Sequence, residues 1–506
     1  MLKSRGITIM RRAGILMPIT SLPSEYGVGT MGKAAFEFID FLADAGQSCW
    51  QILPIGPTGF GDSPYQSYSS FAGNPYMIDL DLLKKDGLLE ADEYQDEDWG
   101  DDPEKVDYGL LYNKRFAVLR KAADRLPSKA PKAYLEFLTK EKKWVYDYAV
   151  FMAVKQDQKG KSWRQWPEDI QKKEHKAMKK VQTELRDEIL FWIRVQYLFF
   201  KQFTAMKKYA NEKGIRIIGD LPIYVASDSI DAWSFRDEFQ LDGKGDPKDV
   251  AGCPPDAFSA DGQLWGNPLY DWEKMKKDHY AWWTERIKHQ LGFYDILRLD
   301  HFRGFSTYYA IPAGDKTAKN GVWRKGPGID FFKHMESKFG KIDLIAEDLG
   351  DLTPDVFELV KATGYPGMKV LEFAFDGSDS DYLPHNYTKN CVVYAGTHDN
   401  DTIMGWFKTS DKATVKRAIE YFHMDKTEGY NWGMMRGAWS STADLAVIQM
   451  QDVLGLGSEA RINTPATTGG NWTWRMKGGQ LKPELAEKLS ALMKRYGRYH
   501  KPAPIK

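Results

Sequence analysis

A chain of 506 residues in which 70 Lys and Arg balance 70 Asp and Glu has no bulk charge, which excludes the basic field that nucleic acids and anionic membranes call for. Its length calls for one large barrel with insertions, or for two to three domains, around a substantial core. Aromatic residues make up 14% of the chain, which suits a neutral partner that stacks on rings, although most such side chains serve cores.

At the amino terminus, Arg11 and Arg12 interrupt the apolar residues and leave no secretory signal. No later run approaches the roughly 20 apolar residues of a membrane span. Cys49, Cys253 and Cys391 are far apart and form no CxxC pair, so the expectation is a reduced, cytoplasmic protein without a zinc site.

Short apolar runs that end in Pro, Gly, Asp or Glu then recur along the chain. They are GILMPI at 14–19, CWQILPI at 49–55, IRIIGDLPIY at 215–224 and DILRLDHF at 295–302, followed by DLIAEDL at 343–349, MKVLEF at 368–373, CVVYAGTHD at 391–399 and DLAVIQMQDVLGL at 444–456. Continuous apolar runs of this length read as buried parallel strands. With helical patterns between several of them, such as PDVFELVKATG at 354–364, they predict an α/β fold of the (β/α)8 TIM-barrel type, with a doubly wound open sheet as the runner-up.

The spacing is uneven, and it predicts a single catalytic barrel over 1–506 with two insertions. The first, at about 56–213, is charged and helical in pattern, and KAMKKVQTELRDEILFWIRVQYLFFKQFTAMKKYA at 176–210 reads as one long helix or two. The second, at about 226–290, is rich in Gly, Pro, Asp and Trp and reads as functional loops.

Two glycine motifs imitate nucleotide sites. Gly27, Gly29 and Gly32 match GxGxxG, but Ala34 lacks the hydroxyl of a P-loop and no acid ends the next strand, so these glycines turn the chain into a helix near 33–45. Gly455, Gly457 and Ala460 run into Pro465 without room for a helix. The nine histidines include no HExxH, and no metal or other cofactor is expected.

Barrel enzymes carry their chemistry at the carboxyl ends of strands, and here those ends bear Asp220, Asp300, Glu347 and Asp399. Retaining cleavage of a glycosidic bond needs one carboxylate to attack and one carboxylic acid to protonate the leaving oxygen, roughly 5 to 5.5 Å apart, which neighbouring strands can deliver. Asp300 and Glu347 end the fourth and fifth runs, and Arg298 shares a strand face with Asp300 and can hold it ionised. Each acid taken alone is equally well a strand-end cap or half of a structural ion pair.

Longer phrases carry a resemblance. RLDHFRGF, LIAEDLG and GTHDNDT, in this order, resemble the amylase superclan, and together with SPYQSYSSFAGNPY at 63–76, PPDAFSADGQLWGNPLYDW at 254–272 and INTPATTGGNWTWRM at 462–476 they are similar in wording to glycoside hydrolase family 77. Almost the whole chain is covered. The resemblance implies a retaining 4-alpha-glucanotransferase acting on alpha-1,4-glucans such as maltooligosaccharides and amylose, with glucose as an acceptor.

Position by position, it implies Asp300 as nucleophile, Glu347 as general acid/base and Asp399 as a third acid on the ring hydroxyls. Arg298 and His398 would assist the same glucose, Asp220 would have a more structural part, and Tyr65 and Trp265 would contact sugars in flanking subsites. Apart from the resemblance, the loops around 254–272 and 462–474, with Trp265, Trp472 and Trp474, can hold an acceptor sugar over the site and shield the intermediate from water. The loop NTPATTGGNW departs from the family's usual NTPG, which bears on those acceptor contacts. The rivals are an alpha-glucan hydrolase of amylase type and a glucan-binding protein on an inactive barrel, and the joint presence of the three acids argues against the latter.

Overall fold

A computed structural model describes residues 11–500 apart from 60, 127–130, 256–258, 351 and 378. Residues 1–10 of the signal reading and 256–258 of the phrase at 254–272 lie outside the described residues.

Among the described residues twelve strands follow one another: β1 (Arg12–Leu16), β2 (Cys49–Gln51), β3 (Arg216–Leu221), β4 (Asp249–Cys253), β5 (Gln263–Pro268), β6 (Ile296–Leu299), β7 (Thr307–Pro312), β8 (Val322–Lys325), β9 (Leu344–Ala346), β10 (Gly367–Val370), β11 (Cys391–Tyr394) and β12 (Leu445–Gln449). Eight of them close into a parallel barrel in the order β1-β12-β11-β10-β9-β6-β3-β2. These eight strands fall within the eight apolar runs, apart from one or two leading residues of β1 and β10. They read as unbroken hydrophobic stretches because they are covered twice: outward side chains pack under helices, and Leu16, Ile218, Ile296, Met368, Val392, Tyr394 and Val447 fill the ring as a separate inner cluster.

The first insertion is helical. The segment read as one long helix or two is two, His175–Glu184 and Arg186–Glu212, broken at Leu185. The longer one returns the chain to β3 and packs against the helix Val145–Asp157. Gln196 on its buried face exchanges two hydrogen bonds with the backbone of Gly73, at 2.8 and 2.9 Å. A side chain at Gly73 would strike the Phe199 ring at 2.0 Å, so only glycine lets the loop come this close.

The second stretch is more regular than the loops expected there. Its β4 and β5 join β7 and β8, which follow the Asp300 loop, in an antiparallel sheet of order β5-β4-β7-β8. The sheet had no clear signature because its strands come from both sides of β6, and β5 carries a Gly and a Pro that read as loop. Neither nucleotide lookalike forms a nucleotide fold. Gly32 caps the helix Lys33–Asp44, and the Asp79 carboxylate, bonded by the Thr30 hydroxyl at 2.6 Å, packs against that helix start where a phosphate would sit. Gly455 ends the short helix Met450–Leu454 in the left-handed conformation.

Candidate active site

The site begins with alternation along β3 and β6. Asp220 and Arg298 are opposite each other in the β3–β6 ladder, and Asp300 is two residues beyond Arg298 on the same face. One guanidinium nitrogen of Arg298 lies 2.8 and 2.7 Å from the two Asp220 oxygens and 3.0 Å from Asp300 Oδ1. The Asp220 side chain is fully buried and that of Arg298 4% exposed, so this is an interior ion pair rather than a surface bridge. Burial opposes the charge on Arg298, and Asp220 and Asp300 overcome that opposition.

Tyr65 joins the group from the loop after β2. Its hydroxyl donates to Asp220 Oδ2 at 2.9 Å and lies 2.8 Å from His398 Nε2, with the two rings stacked at 5.3 Å. Burial pushes the His398 pKa down, so the ring is neutral. Because the tyrosine's one proton goes to Asp220, the hydrogen in the second contact belongs to Nε2, which also stands 3.3 Å from Asp399 Oδ2.

Asp300 and Glu347 lie one residue beyond the neighbouring strands β6 and β9. The backbone stitches these ends together: Glu347 N–H donates to the Leu299 carbonyl at 3.1 Å, and Phe302 N–H to the Glu347 carbonyl at 3.0 Å. His301 adopts a left-handed conformation that turns its N–H onto Glu347 Oε2 at 2.6 Å, while Leu349 N–H reaches Oε1 at 3.1 Å.

Burial, and then the Asp300 charge, push the Glu347 pKa far above the ordinary glutamate range, against the pull of Arg298 and the two N–H donors. Burial and the charges of Asp220 and Asp399 also raise Asp300, although Arg298 opposes them. Arg298 draws the Asp300 pKa down, as its place on the strand suggests, but does not outweigh burial and the two acids. The Asp300 side chain is a quarter exposed and directly bonded to Arg298, so the pair loses its first proton there and Glu347 keeps its own.

Asp399 stands on the loop after β11 rather than at the strand end, its side chain 44% exposed. Asn463 donates to its Oδ1 at 2.6 Å, and Arg461 to its main-chain carbonyl at 2.6 Å. The phrase INTP contained Asn463, but nothing in it marked a contact across 64 residues.

Aromatic walls complete the mouth. Trp265, on β5, meets the His301 ring edge to face at 4.8 Å, and Trp472 packs on Tyr65 and His398 at 5.8 and 6.0 Å. Trp474, expected beside Trp472 in an acceptor loop, is instead turned into the core, because its segment pairs with Lys105 in the helical insertion. Among the described residues no group of three His, Cys, Asp or Glu side chains is arranged to hold a metal ion, and no helix is long and apolar enough to cross a membrane.

The arrangement offers a charged carboxylate beside a protonated one, in a ring of hydrogen-bonding groups suited to sugar hydroxyls. The family model described as 4-alpha-glucanotransferase, glycoside hydrolase family 77, matches residues 17–482. The chain is 51% identical over 485 residues to a 4-alpha-glucanotransferase of Clostridium butyricum, covering 95% of this chain and all of that one. It is 45% identical to one of Thermus thermophilus, over 95% of this chain and 98% of that protein. Its fold superposes with a TM-score of 0.95, at 42% identity and over 97% of this chain and all of the other, on an amylomaltase from Streptococcus agalactiae solved in complex with acarbose. Fold, sequence and family model agree, and the chain belongs to the 4-alpha-glucanotransferases of glycoside hydrolase family 77.

Proposed function

We propose that the chain transfers segments of alpha-1,4-glucan to the 4-hydroxyl of an acceptor glucan or glucose by retaining double displacement, with Asp300 as nucleophile and Glu347 as general acid/base. The observation that carries this reading is the pairing of the two carboxyls at neighbouring strand ends, one bonded to Arg298 and the other held protonated by burial. Glu347 protonates the leaving 4-oxygen as Asp300 attacks the anomeric carbon. Glycosylation then removes the Asp300 charge, the Glu347 pKa falls, and the same group accepts the proton of the acceptor hydroxyl.

Asp399 binds the ring hydroxyls and stabilises the oxocarbenium-like transition state, with Arg298 and His398 on the same glucose, Tyr65 and Trp265 in flanking subsites, and Asp220 holding Arg298. The donors are maltooligosaccharides and amylose, a class to which the acarbose bound by the Streptococcus agalactiae amylomaltase is related in build. The chain works as one catalytic barrel over 1–506 with insertions at about 56–213 and 226–290. It works in the cytoplasm, where its three disulfide-free cysteines stay reduced.

Incubation with pure maltotriose tests transfer directly. Transfer yields glucose and longer oligomers at a constant number of reducing ends; the hydrolase reading requires that number to grow with time.

A further inference from the structure

The loop at residues 395–403 that carries His398 and Asp399 packs on the segment 449–463. Ser458 donates to Asp401 Oδ2 at 2.7 Å, and Ile403 N–H to Asp452 Oδ1 at 2.6 Å. The loop's tip is braced from within, where Asp399 N–H donates to Thr397 Oγ1 at 3.3 Å and the Thr397 hydroxyl to Asn400 Oδ1 at 2.8 Å, and from outside by Arg461 and Asn463. Arg461 donates through Nη2 to the Asp399 carbonyl at 2.6 Å and through Nε to the Asn463 carbonyl at 2.7 Å. Asn463 donates its N–H to the His398 carbonyl at 3.1 Å and its side-chain amide to Asp399 Oδ1 at 2.6 Å. One planar guanidinium thus fixes both the backbone that carries Asp399 and the residue that orients its carboxylate.

A carboxylate in this position needs such support. Asp399 lies five residues past β11, and its side chain is 44% exposed, so no strand fixes its direction. Below the loop is a buried acidic pair, Glu372 at 7% and Asp452 at 0% exposure, with Gly396 packed so closely that a side chain there would meet Glu372 Oε1 at 2.8 Å. Burial, Asp452 and Asp401 push the Glu372 pKa well above the ordinary glutamate range in spite of the Arg461 charge, so this carboxyl keeps its proton. What holds Arg461 in place is therefore its pair of hydrogen bonds to the Asp399 and Asn463 carbonyls, and its fork reproduces a geometry that an ammonium group cannot.

We infer that Arg461 is a positioning residue for Asp399, acting through the Asp399 carbonyl and through Asn463 to set the direction in which the carboxylate meets the sugar ring. This rests on the reading of Asp399 as the third acid.

The test is a cycle of four enzymes, wild type, R461Q, D399N and the double variant, with R461K beside them. Initial rates of maltotriose disproportionation give kcat and KM, and circular dichroism and melting follow the fold. R461Q lowers kcat about 10- to 100-fold, the scale of a misplaced but present catalytic group, and R461K falls between it and wild type. The double variant is no slower than D399N, because Arg461 has nothing left to position. Should R461Q not fold, R461K, which keeps the charge and loses the fork, carries the same cycle. Wild-type kcat in the arginine variants, or losses that multiply in the double variant, overturn the inference alone. A D399N enzyme with a near wild-type rate overturns the reading of Asp399 and this inference with it.

Discussion

Replacing Asp220 with Asn isolates one electrostatic effect in the site. Asp220 and Asp300 both bond one nitrogen of Arg298, at distances no greater than 3.0 Å, so their nearest oxygens are less than about 6 Å apart. At an effective dielectric constant of about 20, two unit charges at that distance repel by about 3 kcal/mol, which corresponds to about two pKa units on Asp300. The direction follows from the charge removed. Asp220 raises the Asp300 pKa, so its loss lowers it, and the guanidinium, now with one carboxylate partner, pulls the same way. The acidic limb of the kcat/KM profile therefore moves down by about 2 pH units, whatever happens to the plateau. Initial rates with maltotriose between pH 4 and 9 measure it. A limb that stays in place or moves up would show that the clamp at Arg298 does not govern Asp300.

Three further outcomes follow from the same geometry. D300N lowers kcat by about four powers of ten or more with an unchanged circular dichroism spectrum, and a near-normal rate would remove Asp300 as nucleophile. E347Q loses the basic limb of the pH profile, because the proton that burial retains on Glu347 is lost as pH rises through its raised pKa; with an alpha-glucosyl fluoride donor, whose leaving group needs no proton, it accumulates a sugar adduct that intact-protein mass spectrometry and peptide mapping place on Asp300, and an adduct on another carboxylate would refute the division of roles. Activity survives EDTA, and restoration by calcium after a loss would reveal an ion with a structural part.

The barrel was legible because each of its strands is buried on both faces, so every one left a continuous apolar run that stops at a turn or an acid. Asp300 and Glu347 were legible for the same reason, since each follows its strand by one residue. Asp399 was only partly so: β10 intervenes between its strand and that of Glu347, and what fixes its carboxylate is Asn463, a contact that no local pattern announces. The Tyr65–His398 contact spans 333 residues and depends on the ring being closed. The spacing of acids at the strand ends gives one reason for a raised Glu347 pKa, namely the charge of Asp300. The direction holds, but burial is the larger cause, and burial is a property of the assembled mouth rather than of the motif IAEDL.

The antiparallel sheet beside the mouth has a consequence for how the molecule behaves when crowded. A closed barrel has no strand edge on which a second chain could add, so among the described residues the open edges of extended sheet belong to β5 and β8. Both are poor templates. β5 is interrupted by Gly266 in a left-handed conformation and ends at Pro268, which has no N–H to offer. β8 is only four residues long and closes with Arg324, paired with Asp249 at 2.8 Å, and with Lys325, a charged side chain of the kind that discourages strand addition at an edge. The exposed Val322 and Trp323 lie on that short edge, where the Arg303 guanidinium sits 3.8 Å from the Trp323 ring centroid and covers one face of it.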